Sequence, residues 1–199
     1  MNKPDYKKIT QALNYLASKE KGGEISYMKA LKLLYLAERL HLRRYGRLIT
    51  DDRLVAMKNG TLGSQAKDIA VQSERLPHSI YQYSEDKLDR DTPNIIGRKI
   101  DEINQLSETD MECVDEVYKM LGDRNQFDLA DLTHSLPEWR RHQYVIESKE
   151  KLVVDLEIED LFKETDNEVL SKLYSESAEG LSLAQELFQE SEEHKAFLV

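Results

Sequence analysis

Three histidines and two carboxylates are the side chains in this sequence that could hold a metal ion. His41, His134 and His142 supply imidazoles, and Glu38 or Asp52 could complete such a site with a carboxylate oxygen. No two of these histidines have the spacing of a helical His-Glu-x-x-His site, in which both rings lie on one face of a helix. We therefore expect no metal ion and no other cofactor.

A structural role suits His41 and His134 better. A buried imidazole usually has both ring nitrogens in hydrogen bonds. His41 lies in the predicted central helix, at about residues 27–45, and His134 lies in the segment 132–139. We predict that the two rings tie this helix to that segment.

Glu38, Asp51 and Asp52 could act as a general acid and a general base. Five arginines flank them, however, and carboxylates beside arginines are usually ion-paired groups of the framework or the surface. These arginines are Arg39, Arg43, Arg44, Arg47 and Arg53. Ser64 lacks the flanking pattern of a nucleophile elbow, and residues 60–63 are not followed by the lysine of a phosphate-binding loop. The sequence therefore predicts that the protein is not an enzyme.

Aromatic and cationic side chains offer two further kinds of site. Tyr35, Tyr45 and Trp139 could stack on a ligand, but aromatic residues at helical spacing more often pack in a core. A cluster of arginines could pair with Asp51 and Asp52, or it could bind an anionic patch on a partner. The cluster consists of Arg43, Arg44, Arg47 and Arg53.

The elements that would position these residues are organised around one apolar segment. Residues 31–40 carry apolar side chains on more than one helical face, which is typical of a helix surrounded by others. Two arginines suit the negative end of its dipole, and Gly46 suits a left-handed C-cap. The pattern predicts a central helix at about residues 27–45.

Signals for β-structure are few. Residues 54–57 are predicted to form a buried strand, and residues 95–100 a second strand that pairs with it. The polar stretch 77–94 is predicted to be a loop. The fold class is therefore mainly α, of the α+β type: a compact helical domain with a small antiparallel sheet of two or three strands.

Two more helices are indicated. Ser107 and Asp110 have the spacing of a capping box that opens a helix ending at Gly122. Apolar residues at three-, four- and seven-residue offsets predict a C-terminal amphipathic helix in residues 164–199, following a domain of residues 1–163. These apolar residues include Leu170, Leu173, Leu181 and Phe188. The tail could fold back to complete the core, or it could present these side chains to a partner or to a second copy of the chain.

Composition sets broad limits. A chain of 199 residues, 40% hydrophobic and 33% charged, can bury one good core. The lone Cys113 fits a reducing compartment, and no apolar run approaches the roughly 20 residues that span a bilayer. The first ten residues contain no apolar signal core. We expect a cytoplasmic protein without a membrane partner.

The net charge of -10 is concentrated at one end of the chain. Residues 147–199 hold 15 acidic and 5 basic side chains, which leaves 23 of each in residues 1–146. Nucleic acid binding usually needs a basic surface that displaces counterions. The distribution therefore disfavours nucleic acid as a partner and favours a basic protein.

The segment YLAERLHLRRYGRLITDDRLVAMKNG, residues 35–60, resembles the signature of the Panacea domain. That domain defines a family of SocA-like antitoxins and phage-associated GepA-like proteins. A second similar segment is LTHSLPEW at residues 132–139, and LSETD at residues 106–110 lies between them. The resemblance covers about residues 9–163. Residues 59–64 lack the two prolines of the turn that is usual in the family.

The resemblance implies an antitoxin of a bacterial or prophage toxin–antitoxin system that binds a cognate toxin protein. Its alternatives are a SocA-like adaptor that delivers a toxin to a Clp-type protease and, less favoured, a DNA-binding autoregulator. The family motif falls on residues that would be structural or partner-binding. They are Tyr35, Glu38, His41, Tyr45, Gly46, Asp52, Met57, Gly60, Thr133, His134 and Trp139.

Overall fold

The computed structural model describes residues 4–197. Most of its secondary structure is helical, which confirms the predicted mainly α fold class. The α-helices are α1 (Tyr6–Lys19), α2 (Tyr27–Tyr45), α3 (Ser64–Ala70), α4 (His78–Lys87), α5 (Glu108–Leu121), α6 (Gln126–His134), α7 (Pro137–Arg140), α8 (Gln143–Glu147), α9 (Glu168–Leu173) and α10 (Ala178–Phe197). Two short 3-10 helices cover Ile100–Glu102 and Ile158–Phe162. The strands are β1 (Glu24–Ser26), β2 (Leu54–Met57), β3 (Gly60–Gly63), β4 (Leu88–Asp91), β5 (Asn94–Gly97) and β6 (Val153–Asp155).

The central helix is α2, as predicted from its apolar pattern. All residues from Ala30 to Arg43 are buried, because α1, α5, α6 and α10 pack around it. The helix ends at the predicted left-handed cap: Gly46 has φ +67° and donates its N–H to the carbonyl oxygen of Leu42 at 2.9 Å. Burial on all sides explains why the apolar residues of this segment are not confined to one face.

Two antiparallel sheets of three strands are present in the described residues, with the orders β1-β5-β4 and β3-β2-β6. The predicted pairing of residues 95–100 with residues 54–57 is wrong, because β5 pairs with β1 and β4 instead. β2 forms a hairpin with β3 through a turn at Lys58 and Asn59, and its other edge pairs with β6. A strand in a sheet has only two edges, so β2 has no place for β5.

The predicted loop at residues 77–94 is also wrong. It contains α4 and most of the β4–β5 hairpin. Ile80, Ser84 and Lys87 are buried at helical spacing, and Pro77 occupies the N-cap position. Only one of these three side chains is apolar, so the periodic pattern was too weak to predict a helix.

Helix α5 begins with the predicted capping box. The Ser107 hydroxyl accepts a hydrogen bond from the Asp110 N–H at 3.2 Å, and the Asp110 carboxylate accepts one from the Ser107 N–H at 2.9 Å. The inner face of α5 packs on α2. Cys113 lies on that face with no exposed surface, beside Val114 and Val117.

The C-terminal helices return to the body of the molecule. α9 buries Leu170 and Leu173, and α10 packs along α2 through Ala184, which is 1% exposed. A Cβ atom on Gly46 would lie only 2.5 Å from the carbonyl oxygen of Ala184, so α10 approaches the end of α2 closely. The tail therefore folds back onto the body of the molecule, which was one of the two predicted alternatives. The division of the chain into two parts at residue 163 stays a prediction.

Candidate functional site

The two separated sequence motifs meet at the β2–β3 hairpin. Gly60 has φ +89°, and a Cβ atom there would lie 2.0 Å from Thr133 Oγ1 of α6 and 3.1 Å from Lys32 Nζ of α2. Only glycine fits, because a side chain is excluded both by the backbone conformation and by these neighbours. Thr133 is itself fully buried. The hairpin, α2 and α6 are thereby held together.

Lys32 is buried beneath this hairpin without an ion-pair partner among the described residues. Its Nζ atom donates a hydrogen bond to the carbonyl oxygen of Thr61 at 2.7 Å, and its side chain has no exposed surface. Burial lowers the pKa of Lys32 to about 7, because the charged form is poorly solvated there. Lys32 was not predicted as a site residue, although a lysine inside the apolar run 31–40 is a visible signal in the sequence.

His134 and Trp139 hold the outer side of the same hairpin. His134 Nε2 lies 3.1 Å from the carbonyl oxygen of Lys58, and the Trp139 indole N–H donates to the carbonyl oxygen of Met57 at 2.9 Å. The two rings pack with centroids 4.2 Å apart. Burial lowers the pKa of His134, which favours the neutral ring. His134 thus tethers the hairpin, and the predicted tie to α2 is wrong.

His41 makes its hydrogen bonds elsewhere as well. Its Nδ1 atom lies 2.9 Å from the carbonyl oxygen of Arg47, and its Nε2 atom lies 3.1 Å from Thr109 Oγ1. Burial lowers the pKa of His41 to about 4, and the Tyr45 ring packs against it at a centroid distance of 4.7 Å. The predicted contact of His41 with residues 132–139 is wrong, because α5 covers this side of α2.

The two motif carboxylates accept hydrogen bonds from backbone donors, and Asp52, together with Asp51, also lines an opening between the end of α2, β6 and α10. Glu38 Oε2 accepts the Ile49 N–H at 2.6 Å, and Glu38 Oε1 accepts the Thr50 N–H at 3.1 Å. Burial raises the pKa of Glu38 to about 8. These bonds fix the turn that leaves α2.

Asp52 has the corresponding role at the next helix. Its carboxylate accepts the Gln65 N–H at 3.0 Å and the Ala66 N–H at 2.8 Å, and burial raises its pKa to about 6. Asp52 therefore caps the first turn of α3, whose own N-cap residue is Gly63.

Tyr35 belongs to a buried polar network between α2 and α7. Its hydroxyl donates to Glu138 Oε1 at 2.7 Å, and Arg39 Nε donates to the same oxygen at 3.0 Å. Arg39 also donates to the carbonyl oxygen of Lys163 at 2.6 Å and stacks over the Tyr174 ring. Tyr35 and Trp139 are thus packed and hydrogen-bonded, and Tyr45 lies against His41.

The arginine cluster does not form ion pairs with Asp51 and Asp52, contrary to the first of its two interpretations. Asp52 is turned towards α3, and each arginine reaches an acid in another part of the chain. The partners are Glu164 and Glu176 for Arg43, Glu116 for Arg44, Asp110 for Arg47, and Asp155 for Arg53.

The four tail residues differ in burial. Leu170 and Leu173 have no exposed surface, whereas Leu181 and Phe188 are partly buried, the latter against the Phe162 ring at a centroid distance of 5.8 Å. Leu183 and Leu187 of α10 are more exposed, at 56% and 45%.

We call the place where the β2–β3 hairpin, α2 and α6 meet at Gly60 the motif junction. An apolar concavity of about 190 Å³ lies beside it, and we call this the Phe127 concavity. Phe127 is 72% exposed although it is a large aromatic side chain. The lining residues are Met28, Asn59, Gln126, Phe127, Ala130, Asp131 and His134. Phe127 was not predicted as a site residue, although it lies off the face of α6 that buries Leu129 and Leu132.

A second opening, of about 150 Å³, lies between β6 and α10. Its walls include Arg53, Leu54, Asp155, Leu156 and Phe188. Within residues 4–197, no three side chains of the His, Cys, Asp and Glu types are grouped to hold a metal ion. No helix in this described part is long and apolar enough to cross a membrane.

Comparison with known proteins gives one match. The family model described as "Antitoxin SocA-like, Panacea domain" matches residues 31–140, which is more than half of the chain. The matched range contains α2 from Leu31 onward, the β2–β3 hairpin, α6 and α7, and so the whole motif junction. Neither a curated protein nor a solved structure matches the chain significantly.

Proposed function

Because the chain belongs to the family of SocA-like antitoxins with a Panacea domain, we propose that it neutralises a cognate toxin by binding it directly. The toxin would be a protein, held in a stoichiometric complex that hides its active region. The protein would act in the cytoplasm by binding and would transform no substrate. The observation that carries the proposal is the exposed Phe127 beside the motif junction.

The Phe127 concavity has the physical character of a protein-binding site. Aromatic side chains at the centre of apolar pockets contribute much of the binding energy in protein interfaces. Here the wall is already rigid, because His134 is held by Lys58 and Trp139 before any partner arrives. Preorganisation of this kind reduces the entropy lost on binding. The concavity also lies almost entirely within the part of the chain that matches the antitoxin family.

Co-expression with the products of neighbouring genes tests the proposal. We expect one of these products to arrest growth alone and to be tolerated together with this protein. If no neighbouring product is toxic alone and rescued by co-expression, the proposal fails. The toxin level should stay constant during rescue; a fall that depends on a Clp-type protease would favour the adaptor alternative.

Two matched variants test the surface. Phe127→Asp should abolish rescue, because it removes the large apolar side chain and adds a second carboxylate beside Asp131. Leu183→Asp should rescue normally, because Leu183 is a similarly exposed apolar residue on α10, outside the matched range. Neither side chain belongs to the core, so both variants should fold, which circular dichroism can verify. Equal rescue by both variants would exclude the Phe127 concavity as the toxin contact.

A further inference from the structure

β6 is the outer strand of its sheet. In the order β3-β2-β6 it pairs with β2 on one side, and on the other side no strand of the described residues follows it. β6 lies outside the range that matches the family, although it extends a sheet whose other two strands lie inside that range.

The register shows which backbone groups of β6 are directed away from β2. Leu156 lies opposite Leu54 and donates its N–H to the carbonyl oxygen of Leu54 at 3.0 Å. In an antiparallel pair such hydrogen-bonded positions alternate with positions whose N–H and C=O groups point outward. Val154 is therefore bonded to β2, whereas the backbone groups of Val153 and Asp155 point to the open edge.

The side chains along this edge are unusually apolar for an outer strand. Leu152 is 73% exposed and Val153 is 42% exposed, whereas edge strands are commonly protected by charged residues or prolines. Asp155 supplies the one charge on the strand and lies 3.5 Å from Arg53. The opening of about 150 Å³ begins at this end, with Asp155 and Leu156 in its lining.

We propose that the open edge of β6 binds an extended segment of the toxin, which adds a fourth strand to the sheet. Main-chain hydrogen bonds to Val153 and Asp155 would supply affinity, as in other cases of strand addition. The segment would place an apolar side chain beside Val153 and a basic one beside Asp155, since cross-strand neighbours of these types are favourable. The inference rests on the proposed function and concerns recognition of the particular toxin.

Charge supports a basic segment over a second copy of this chain. Residues 147–199 carry ten more acidic than basic side chains. Two copies joined edge to edge at β6 would bring their acidic C-terminal regions together, which is unfavourable. A basic segment would instead be attracted to this surface.

Proline substitutions on β6 can distinguish an effect on toxin binding from an effect on the stability of the fold. Val153→Pro removes only an outward N–H, and proline is tolerated at such edge positions. We expect it to keep the native unfolding midpoint and to weaken toxin binding by about tenfold, the effect of one lost hydrogen bond with some loss of strand geometry. Val154→Pro should instead lower the unfolding midpoint, because it removes a hydrogen bond to β2. Val153→Thr, which keeps the backbone donor, should bind almost normally.

A charge variant provides an independent test. The Asp155 side chain is exposed, so the variant Asp155→Lys should fold normally. Because the new charge would repel a basic segment, the variant should bind the purified toxin more weakly and with a smaller dependence on salt. If the wild type rescues and both Val153→Pro and Asp155→Lys bind like the wild type, the inference is overturned while the proposed function stands. If the wild type rescues no toxin, both fail. A wild-type dimer in light scattering that Val153→Pro dissociates would also overturn the inference, in favour of a second copy.

Discussion

At the scale of single residues, Gly60 joins the two motifs through the space that its missing side chain leaves. We predict that Gly60→Ala lowers the free energy of unfolding by about 2–4 kcal/mol, as the sum of left-handed strain and overpacking against Thr133. Urea denaturation of both proteins would measure the difference.

The matched control is Gly22→Ala. Gly22 has φ +90°, nearly the value of Gly60, but a Cβ atom there would meet nothing within 4 Å. This variant should lose only about 1–2 kcal/mol, from strain alone. Equal losses in the two variants would show that the contact with Thr133 is unimportant for stability.

Lys32 gives a residue-scale prediction about pH. Its pKa is about 7 in the folded protein, against an ordinary value of 10.5 in the unfolded chain. Between these values the unfolded state binds a proton that the folded state does not, so the contribution of Lys32 to stability rises with pH. Below pH 7 both states are protonated, and this gain is absent.

The comparison with Lys32→Met isolates the effect of that lysine. From pH 7.5 to pH 8.5, the stability of the wild type relative to the variant should rise by about 1 kcal/mol, close to the limit of 1.36 kcal/mol for one proton per pH unit. Chemical denaturation at the two pH values measures it. A difference that is independent of pH would mean that Lys32 stays charged when buried.

Roles that depend on residues close together in the sequence were predictable. The capping box of Ser107 and Asp110 is confirmed because its atoms lie three residues apart. The contact of Gly60 with Thr133 joins residues far apart in sequence, so spacing could not reveal it. The resemblance selected both residues but did not show that they touch.

At the scale of elements, the apolar side chains of α10 differ in how much of their surface the rest of the molecule covers. Phe188 packs on Phe162, whereas its neighbour Leu187 is 45% exposed. We predict that Phe188→Ala lowers the free energy of unfolding by about 1–2 kcal/mol, less than for a fully buried phenylalanine. Leu187→Ala should change it by less than about 0.5 kcal/mol. Similar losses in both variants would contradict the docked position of α10.

Helices and strands that are defined by local sequence signals were predictable, but the pairing of the strands was not. α2 begins and ends at the predicted residues because its apolar run and its glycine cap are continuous in sequence. The partners of β5 were mistaken because β1, only three residues long, gave no signal before α2. In the tail, the periodic pattern predicted one helix, whereas the structure has two, α9 and α10, separated by residues 174–177. The pattern also did not show which leucines would be buried.

At the scale of the whole molecule, the uneven charge should affect how the toxin is encountered. The acidic excess lies in residues 147–199, which include the open edge of β6. Attraction between opposite charges raises association rates, and salt screens it. We predict that the association rate with the toxin falls by about tenfold or more between 50 and 500 mM NaCl, with a smaller change in the dissociation rate. Stopped-flow mixing would measure both, and a rate independent of salt would exclude a basic toxin surface.

Because Cys113 is buried, its reaction with a thiol reagent can be used to measure unfolding. It is the one cysteine of the chain, it has no exposed surface, and burial raises the pKa of its thiol to about 12. A thiol reagent can react with it only after α5 separates from α2, so the labelling rate would follow that separation without any added probe. The same measurement in the presence of toxin would show how strongly a bound partner holds the two helices together.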